Sequence, residues 1–489
     1  MQMVDAARPK AGAASIFGPS PRKTALPMLI EECPFIEPVD AYSAFAPYAD
    51  SHFLDSGDRD RYSYIAVSPF HKLTAKNGQV KLDGFPVPGN PFDVLADLMA
   101  RYQQEPRDDL PPFQGGAVGY FGYELAHQTE KLPVASKDWL DMPDMAVGIY
   151  DLVIAFDLKQ RRMWLVSTGM PEQTPEERDH RAAARLAMMR KYLRLARPLS
   201  DIPDVPHQPD VMGWASNFDR DAYQQSVQTV IDYIYAGDIF QANLSQSFRA
   251  EYAPDNIPQR FAMYRRLSSV SSAPFGAFLN FGDVAVLSNS PERFLKVTDR
   301  HVETRPIKGT RPRGEMPVQD AELAQELMWS AKDRAENVMI VDLLRNDLSK
   351  VCQPHSVKTP AICALESYAN VHHLVSTVTG ELADGANAID LLAACFPGGS
   401  ITGAPKIRAM EIITELEKTT RGAYCGAIGY IGFDGAMDTN IAIRTICMNK
   451  GKLAFNVGGG IVANSEPAQE YDETMVKAAK VFETLGIAP

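Results

Sequence analysis

Positive charge is in short supply in this chain: its 489 residues carry 49 Lys and Arg against 61 Asp and Glu, a formal net charge of −12. Nucleic-acid binders neutralise phosphates with a basic face, so this balance argues against one and leaves room only for a local anion site. Long apolar runs are absent as well, and no stretch approaches the roughly 18–20 residues that span a bilayer. Cysteine is scarce. Cys33, Cys352, Cys363, Cys395, Cys425 and Cys447 form no C-x-x-C pair, and most have apolar neighbours, which reads as buried reduced thiols rather than a metal centre or a disulfide framework. There is no G-x-G-x-x-G, no internal repeat and no low-complexity tract. Residues 1–22, rich in Ala, Pro and Ser, lack the apolar stretch of a secretory signal. They are expected to form a flexible extension, and the protein is expected to be cytoplasmic, with no membrane and no nucleic-acid partner.

What is present is an ordinary folded composition, 45% hydrophobic and 22% charged, long enough for a large core and two lobes. β-like runs at 62–68 and 147–156 and a glycine-rich stretch at 115–123 precede a charged helical pattern over 173–197. Residues 198–212 carry four prolines and little periodicity, which marks a linker. Beyond it, Tyr223, Val227, Ile231 and Ile234 recur at helical spacing over 219–236, with Gly237 suited to the position after a helix end. Residues 239–248 alternate as a strand with Gln241, Asn243, Ser245 and Ser247 on one face. Further strands are expected at 276–281, 284–288, 294–297, 425–433, 440–448 and 452–462. Helices are expected at 319–346, 386–394, 404–417 and 466–485. Strands and helices do not alternate regularly, which points to an α+β fold with antiparallel sheets.

Five local patterns carry chemistry. The segment 303–314 holds Lys308 in a Pro/Gly-bounded turn between Arg305 and Arg311; a lysine desolvated near other cations loses proton affinity and becomes a nucleophile, while a solvated loop lysine is the alternative. Glu470, Glu473 and Lys477 share one helix face by their offsets, as do Asp333 and Glu336. Each set reads equally as a solvated face, but two facing helices would let the four carboxylates surround one Mg²⁺. The run 396–406 puts glycines ahead of a helix with an early Pro405, an anion-binding arrangement without the Gly-Lys-Ser/Thr of a nucleotide loop. Gly458, Gly459 and Gly460 allow a ligand close to a strand end.

In this order, these residues resemble the chorismate-utilising enzyme family over roughly 219 to the C-terminus, and more diffusely through 115–124. The resemblance implies that family's two-lobed antiparallel β-sandwich core with surrounding helices, with an N-terminal lobe over 23–205 and a chorismate-binding catalytic domain over 206–489. Members that form 4-amino-4-deoxychorismate carry Pro-Ile-Lys-Gly-Thr, as here at 306–310, where anthranilate-forming members usually carry alanine for the lysine. The implied activity is a transferase reaction of chorismate with ammonia, through a Lys308 adduct, that supplies p-aminobenzoate and folate synthesis. The alternative is anthranilate plus pyruvate from the same substrates. Glu292, sixteen residues before Lys308, matches the general acid/base. Gln241 stands where water-adding members place a lysine, and an amide cannot serve as that base. By the same resemblance Glu336 and Glu473 ligate Mg²⁺ while Asp333 and Glu470 hold its waters. Tyr424 and Arg444 hold the enolpyruvyl carboxylate, Gly458, Gly460 and Lys477 the ring carboxylate; catalytic His373 and Ser400 lie near the C4 leaving group, and Thr310 binds substrate. Leu29-Ile30-Glu31-Glu32 departs from the tryptophan-feedback motif Leu-Leu-Glu-Ser, so that regulation does not carry over. No glutaminase elbow is found, which implies a separate glutamine amidotransferase as heterodimer partner.

Overall fold

The computed structural model describes residues 28–57, 59–198, 210–253, 256–270, 273–368 and 371–486. The expected extension at 1–22 and most of the linker at 198–212 lie outside them. Period-two burial builds the centre of the molecule. In the Gly116–Phe121 strand, Val118 and Tyr120 pack with Tyr64, Val153 and Ala277 of a second sheet, whereas Ala117 and Phe121 pack with Phe92, Leu344 and Leu392 of helices on the outer face. On the far side, Phe278 and Ile154 turn to Phe261, Leu186 and Phe482 of another set of helices. The result is a helix–sheet–sheet–helix sandwich.

Among the described residues both sheets are twelve-stranded and their ladders are antiparallel. One runs from Leu29–Cys33 through Ser51–Asp55 and Phe275–Asn280 to Lys452–Ile461, Gln241–Ala253 and Asp210–Ser216. The other runs from Ile307–Pro312 and Val371–Glu381 through Met437–Ile441, Ala427–Gly432 and Gly116–Phe121 to Phe85–Val87. Each draws strands from both sides of residue 205: Phe53 pairs with Phe278, and Tyr120 with Ile428. Among the described residues no helix is long and apolar enough to cross a membrane.

Three expected elements are each broken in two. The helix expected over 319–346 is Pro317–Trp329 followed by Ala331–Ser349; Ser330, with ψ 106°, ends the first and caps the second by accepting from Asp333 N. The apolar run at 147–156 is Met145–Tyr150 and Leu152–Asp157, which belong to different sheets. Buried Asp151 makes the switch and receives Arg181 Nε at 3.1 Å and Arg185 Nη2 at 2.8 Å. The run at 440–448 is Met437–Ile441 and Thr445–Asn449, divided where Arg444 takes a left-handed φ of 52°.

Candidate active site

Local chemistry sets the frame: Asp219 caps Arg220–Tyr235 by accepting from Ala222 N at 2.8 Å, and the chain then turns into Gln241–Ala253. That strand pairs with Lys452–Ile461, setting Gln241 beside Gly460. The Gln241 amide is fully buried and neither its nitrogen nor its oxygen has a hydrogen-bond partner. A Cβ at Gly460 would lie 2.3 Å from Gln241 Nε2, so any side chain there would displace the Gln241 amide. An orphaned buried amide costs about 1–3 kcal/mol, which a bound ligand can recover.

Lys308 comes from the edge strand Ile307–Pro312. The pairing with Val371–Glu381 shifts register between Lys308 and Thr310, leaving Gly309, at φ +82°, as the extra residue of a bulge. Bulges redirect side chains, and here the half-buried Lys308 amine reaches Ser400 O at 3.1 Å. Desolvation lowers its proton affinity, opposed by the charges of Glu292 and Glu336. Glu292 is itself buried, which raises its pKa above the usual carboxylate range, although the Ser400 hydroxyl, Lys308 and the Ile307 N–H favour its ionised form. The pair is therefore biased toward the uncharged amine and the protonated acid, the forms a nucleophile and a general acid require.

His373 faces the same bulge: its Nδ1 lies 2.9 Å from Thr310 Oγ1. Burial, with the nearby Arg444 cation, pulls its pKa down to about 4, so it is a neutral imidazole at pH 7. Tyr424, buried, sits against the Arg421 guanidinium at 5.8 Å.

The acidic group lies opposite. Glu470, Glu473 and Lys477 of the Pro467–Thr484 helix all approach Gly459. Lys477 Nζ is 2.7 Å from Glu473 and donates to Gly458 O at 2.8 Å. Burial raises the Glu473 pKa, but Lys477 outweighs it and leaves the carboxylate below its ordinary range. Burial raises the pKa of Glu470, which accepts from Ser465 Oγ at 2.6 Å. Glu336 is raised by burial too, and by the charges of Asp333 and Glu470. Hard oxygen donors on two elements that repel one another suit Mg²⁺, which takes one or two carboxylates and keeps its waters. Asp333, beside Glu336 on the same helix, is also 3.4 Å from Arg311 Nη2, and among the described residues no three acidic, His or Cys groups close on a single point.

Residue-by-residue reading passed over the frame beneath these groups. Lys406, in the expected anion loop, turns inward to Asp347 at 2.6 Å and to the carbonyls of Cys395 and Pro397, both at 2.8 Å, and so pins the loop bearing Ser400. Asn243 Nδ2 donates to Ser400 O at 2.7 Å. Buried Arg421 forks onto Glu417 and reaches the carbonyls of Ile401 and Asn243. The signal in the sequence is an i,i+4 Glu–Arg pair at the end of an amphipathic helix.

A family model described as chorismate binding enzyme matches residues 50–483. The chain is 43% identical over 448 residues to aminodeoxychorismate synthase component 1 of Salmonella typhimurium, covering 88% of this chain and 92% of that one. It is 39% identical over 460 residues to anthranilate synthase component 1 of Thermus thermophilus, covering 92% and 96%. Among solved structures, anthranilate synthase component I from Streptococcus pneumoniae superposes with a TM-score of 0.76 at 31% identity, over 86% of this chain and 92% of that one.

Proposed function

This chain belongs to the chorismate-binding enzyme family, and we propose that it is component 1 of an aminodeoxychorismate synthase, converting chorismate and ammonia to 4-amino-4-deoxychorismate for p-aminobenzoate and folate synthesis. The observation that carries this reading is Lys308: a desolvated amine, aimed by a bulge at a neutral carbonyl, beside a buried carboxyl. The Lys308 nitrogen bonds to C2 of the ring as the C4 hydroxyl departs, and Glu292 gives that hydroxyl its proton, releasing water. Ammonia then bonds to C4, the C2–nitrogen bond breaks, and a proton returns to the lysine. Neutral His373, with Thr310 and Ser400, lines the end where the hydroxyl leaves. Arg444 and Tyr424 orient the enolpyruvyl carboxylate, and Gly458, Gly460 and Lys477 the ring carboxylate, with an arginine fork suited to a carboxylate. Gln241 gives the ligand a buried hydrogen-bonding group but no base for water.

Glu336 and Glu473 would hold Mg²⁺, with Asp333 and Glu470 holding its waters. The ion would supply positive charge for a substrate carboxylate in an otherwise acidic pocket. Replacing Glu473 by alanine is expected to raise the Mg²⁺ concentration for half-saturation at least tenfold, read by calorimetric titration as well as by rate; an unchanged titration would remove Glu473 from the metal site.

The name component 1 of the relatives supports a second subunit, and we assign to it the release of ammonia from glutamine, in the cytoplasm. The deciding test gives the purified chain chorismate, Mg²⁺ and ammonium at mildly alkaline pH and separates products by chromatography with mass detection. 4-Amino-4-deoxychorismate without pyruvate is expected. Anthranilate with equimolar pyruvate would assign the chain to the other branch of the family.

A further inference from the structure

The helix Pro317–Trp329 is weakly rooted. Leu327 is its buried residue, its N-cap Met316 makes no side-chain capping bond, and Val318 and Trp329 are 72% and 76% exposed. Yet it ends on the bulge that aims Lys308: a Cβ on Gly309 would meet Leu327 Cδ1 and Asp333 Cβ, each at 2.9 Å. Arg311 Nε, 2.8 Å from Glu326 Oε1, ties that end of the helix to the Lys308 strand, and a polar clasp fixes its other end. Asp320 receives both nitrogens of the Arg313 fork at 2.7 Å, the Gly314 N–H at 2.9 Å and His372 Nε2 at 2.9 Å. Arg313 follows directly on the Lys308 strand, and its Nη1 also donates to Tyr368 O at 2.8 Å. His372, 2% exposed, completes the chain with Nδ1 at 2.7 Å from Ser367 Oγ.

Asp320, held well below the usual carboxylate range by Arg313 and the Gly314 N–H, is an acceptor only, so His372 Nε2 donates to it, while Nδ1 pairs with the Ser367 hydroxyl, which can donate or accept. One imidazole thus joins three segments: the helix, the Val371–Glu381 strand and the end of Lys358–Ser367. Its neighbour His373 points to the opposite face, toward Thr310 and the site. The register seats Arg311 opposite His372 and Thr310 opposite His373, so the clasp and the reacting groups share the same two strands on either side of the bulge.

We infer that His372 and Asp320 are positioning residues for the amination, holding the Pro317–Trp329 helix down on Gly309 so that the bulge keeps Lys308 directed at the substrate. Neither touches substrate. They act by preventing the edge strand from flattening out of its bulge, and displacing a reacting group by about 1 Å costs on the order of a hundredfold in rate. This rests on the reading of Lys308 as the nucleophile, so the test includes a readout that does not need turnover.

Four proteins are compared: wild type, His372→Phe, His372→Gln and Asp320→Asn. Glutamine can donate to Asp320 and pair with Ser367 through its amide, whereas phenylalanine fills the space without either bond. Turnover is measured with chorismate and ammonium, and the rate at which an amine-specific acylating reagent labels Lys308 is followed by peptide mass spectrometry. His372→Phe and Asp320→Asn are expected to lower kcat ten- to a hundredfold with KM for chorismate within about threefold of wild type, and to change the Lys308 labelling rate severalfold. His372→Gln is expected to recover most of both. Wild-type kcat and labelling in folded His372→Phe would overturn the inference, as would a glutamine variant no better than phenylalanine. Should His372→Phe fail to fold, the isosteric Asp320→Asn decides alone. If wild type makes no aminated product, the functional reading fails, and the labelling series still shows whether the clasp governs Lys308.

Discussion

Replacing Lys308 by alanine is expected to reduce 4-amino-4-deoxychorismate formation about a thousandfold or more while leaving the chain folded. The residue sits on an edge strand and is half-buried, with its amine on one carbonyl, so truncation removes no packed core and leaves Ser400 O able to bond water or Asn243. The rate effect follows because no neighbouring group can replace it: Gln241 is an amide, Lys477 is engaged by Glu473 and Gly458 O, and His373 is hydrogen-bonded to Thr310. Its acid limb should be informative as well. Desolvation lowers the lysine pKa, so the nucleophilic amine accumulates at a lower pH than for a solvated lysine, while the raised pKa of Glu292 keeps the acid protonated further up the scale. Wild type is therefore expected to show a bell-shaped pH profile, and any residual alanine-variant activity to lack the lysine limb. Acid quench of wild type with chorismate alone should trap an adduct on the peptide containing Lys308, of chorismate mass less water. Wild-type rates in the alanine variant at every ammonium concentration would take the lysine out of the chemistry.

Why these residues were legible in sequence, and their framework less so, is a matter of range. Asp219 and Gly237 bracket a helix because capping is a local bond, and both positions were read correctly. The sequence predicts one helix through Ser330, because no glycine or proline marks the break and its one signal is a Ser-x-x-Asp cap inside a stretch with continuous helical character. Asp151 was likewise absorbed into an apolar strand, because its meaning comes from Arg181 and Arg185 thirty residues on. Sheet order was not readable at all: that Phe53 pairs with Phe278 and Gly119 with Gly429 depends on long-range closure, which no periodicity encodes. Chemistry-bearing side chains stood out because their spacing is short and their types unusual. The bulge at Gly309 that gives Lys308 its direction needed the partner strand to be seen.

Arg421 is the residue whose loss should cost most in stability. It is 4% exposed and forks onto Glu417, with Nη2 at 2.7 Å from Oε1 and Nε at 3.0 Å from Oε2, and its remaining donors reach Asn243 O at 2.7 Å and Ile401 O at 3.2 Å. Glu417, 3% exposed, also accepts Ser245 N at 2.7 Å and Ser245 Oγ at 2.9 Å. From the N-terminal half, Glu124 accepts the N–H groups of Arg421 and Gly422 at 2.7 and 3.0 Å, and Tyr123 lies under the guanidinium at 4.7 Å. The knot therefore joins the strand of Gln241, the loop of Ser400 and the Gly116–Phe121 sheet. Arg421→Ala leaves the Glu417 charge buried without a partner, for which about 3–5 kcal/mol of lost stability is expected in urea unfolding. The pH dependence identifies the cause. A carboxylate stranded in the interior is relieved by taking up a proton, so the deficit should shrink as the solution is acidified. The paired change Arg421→Met with Glu417→Leu removes both charges and should regain most of the stability, because apolar replacement of a buried pair is often neutral. It should not regain activity, since Asn243 O and Ile401 O lose their donor beside the site. A deficit in Arg421→Ala that stays constant with pH would mean that lost packing, rather than a stranded carboxylate, sets the cost.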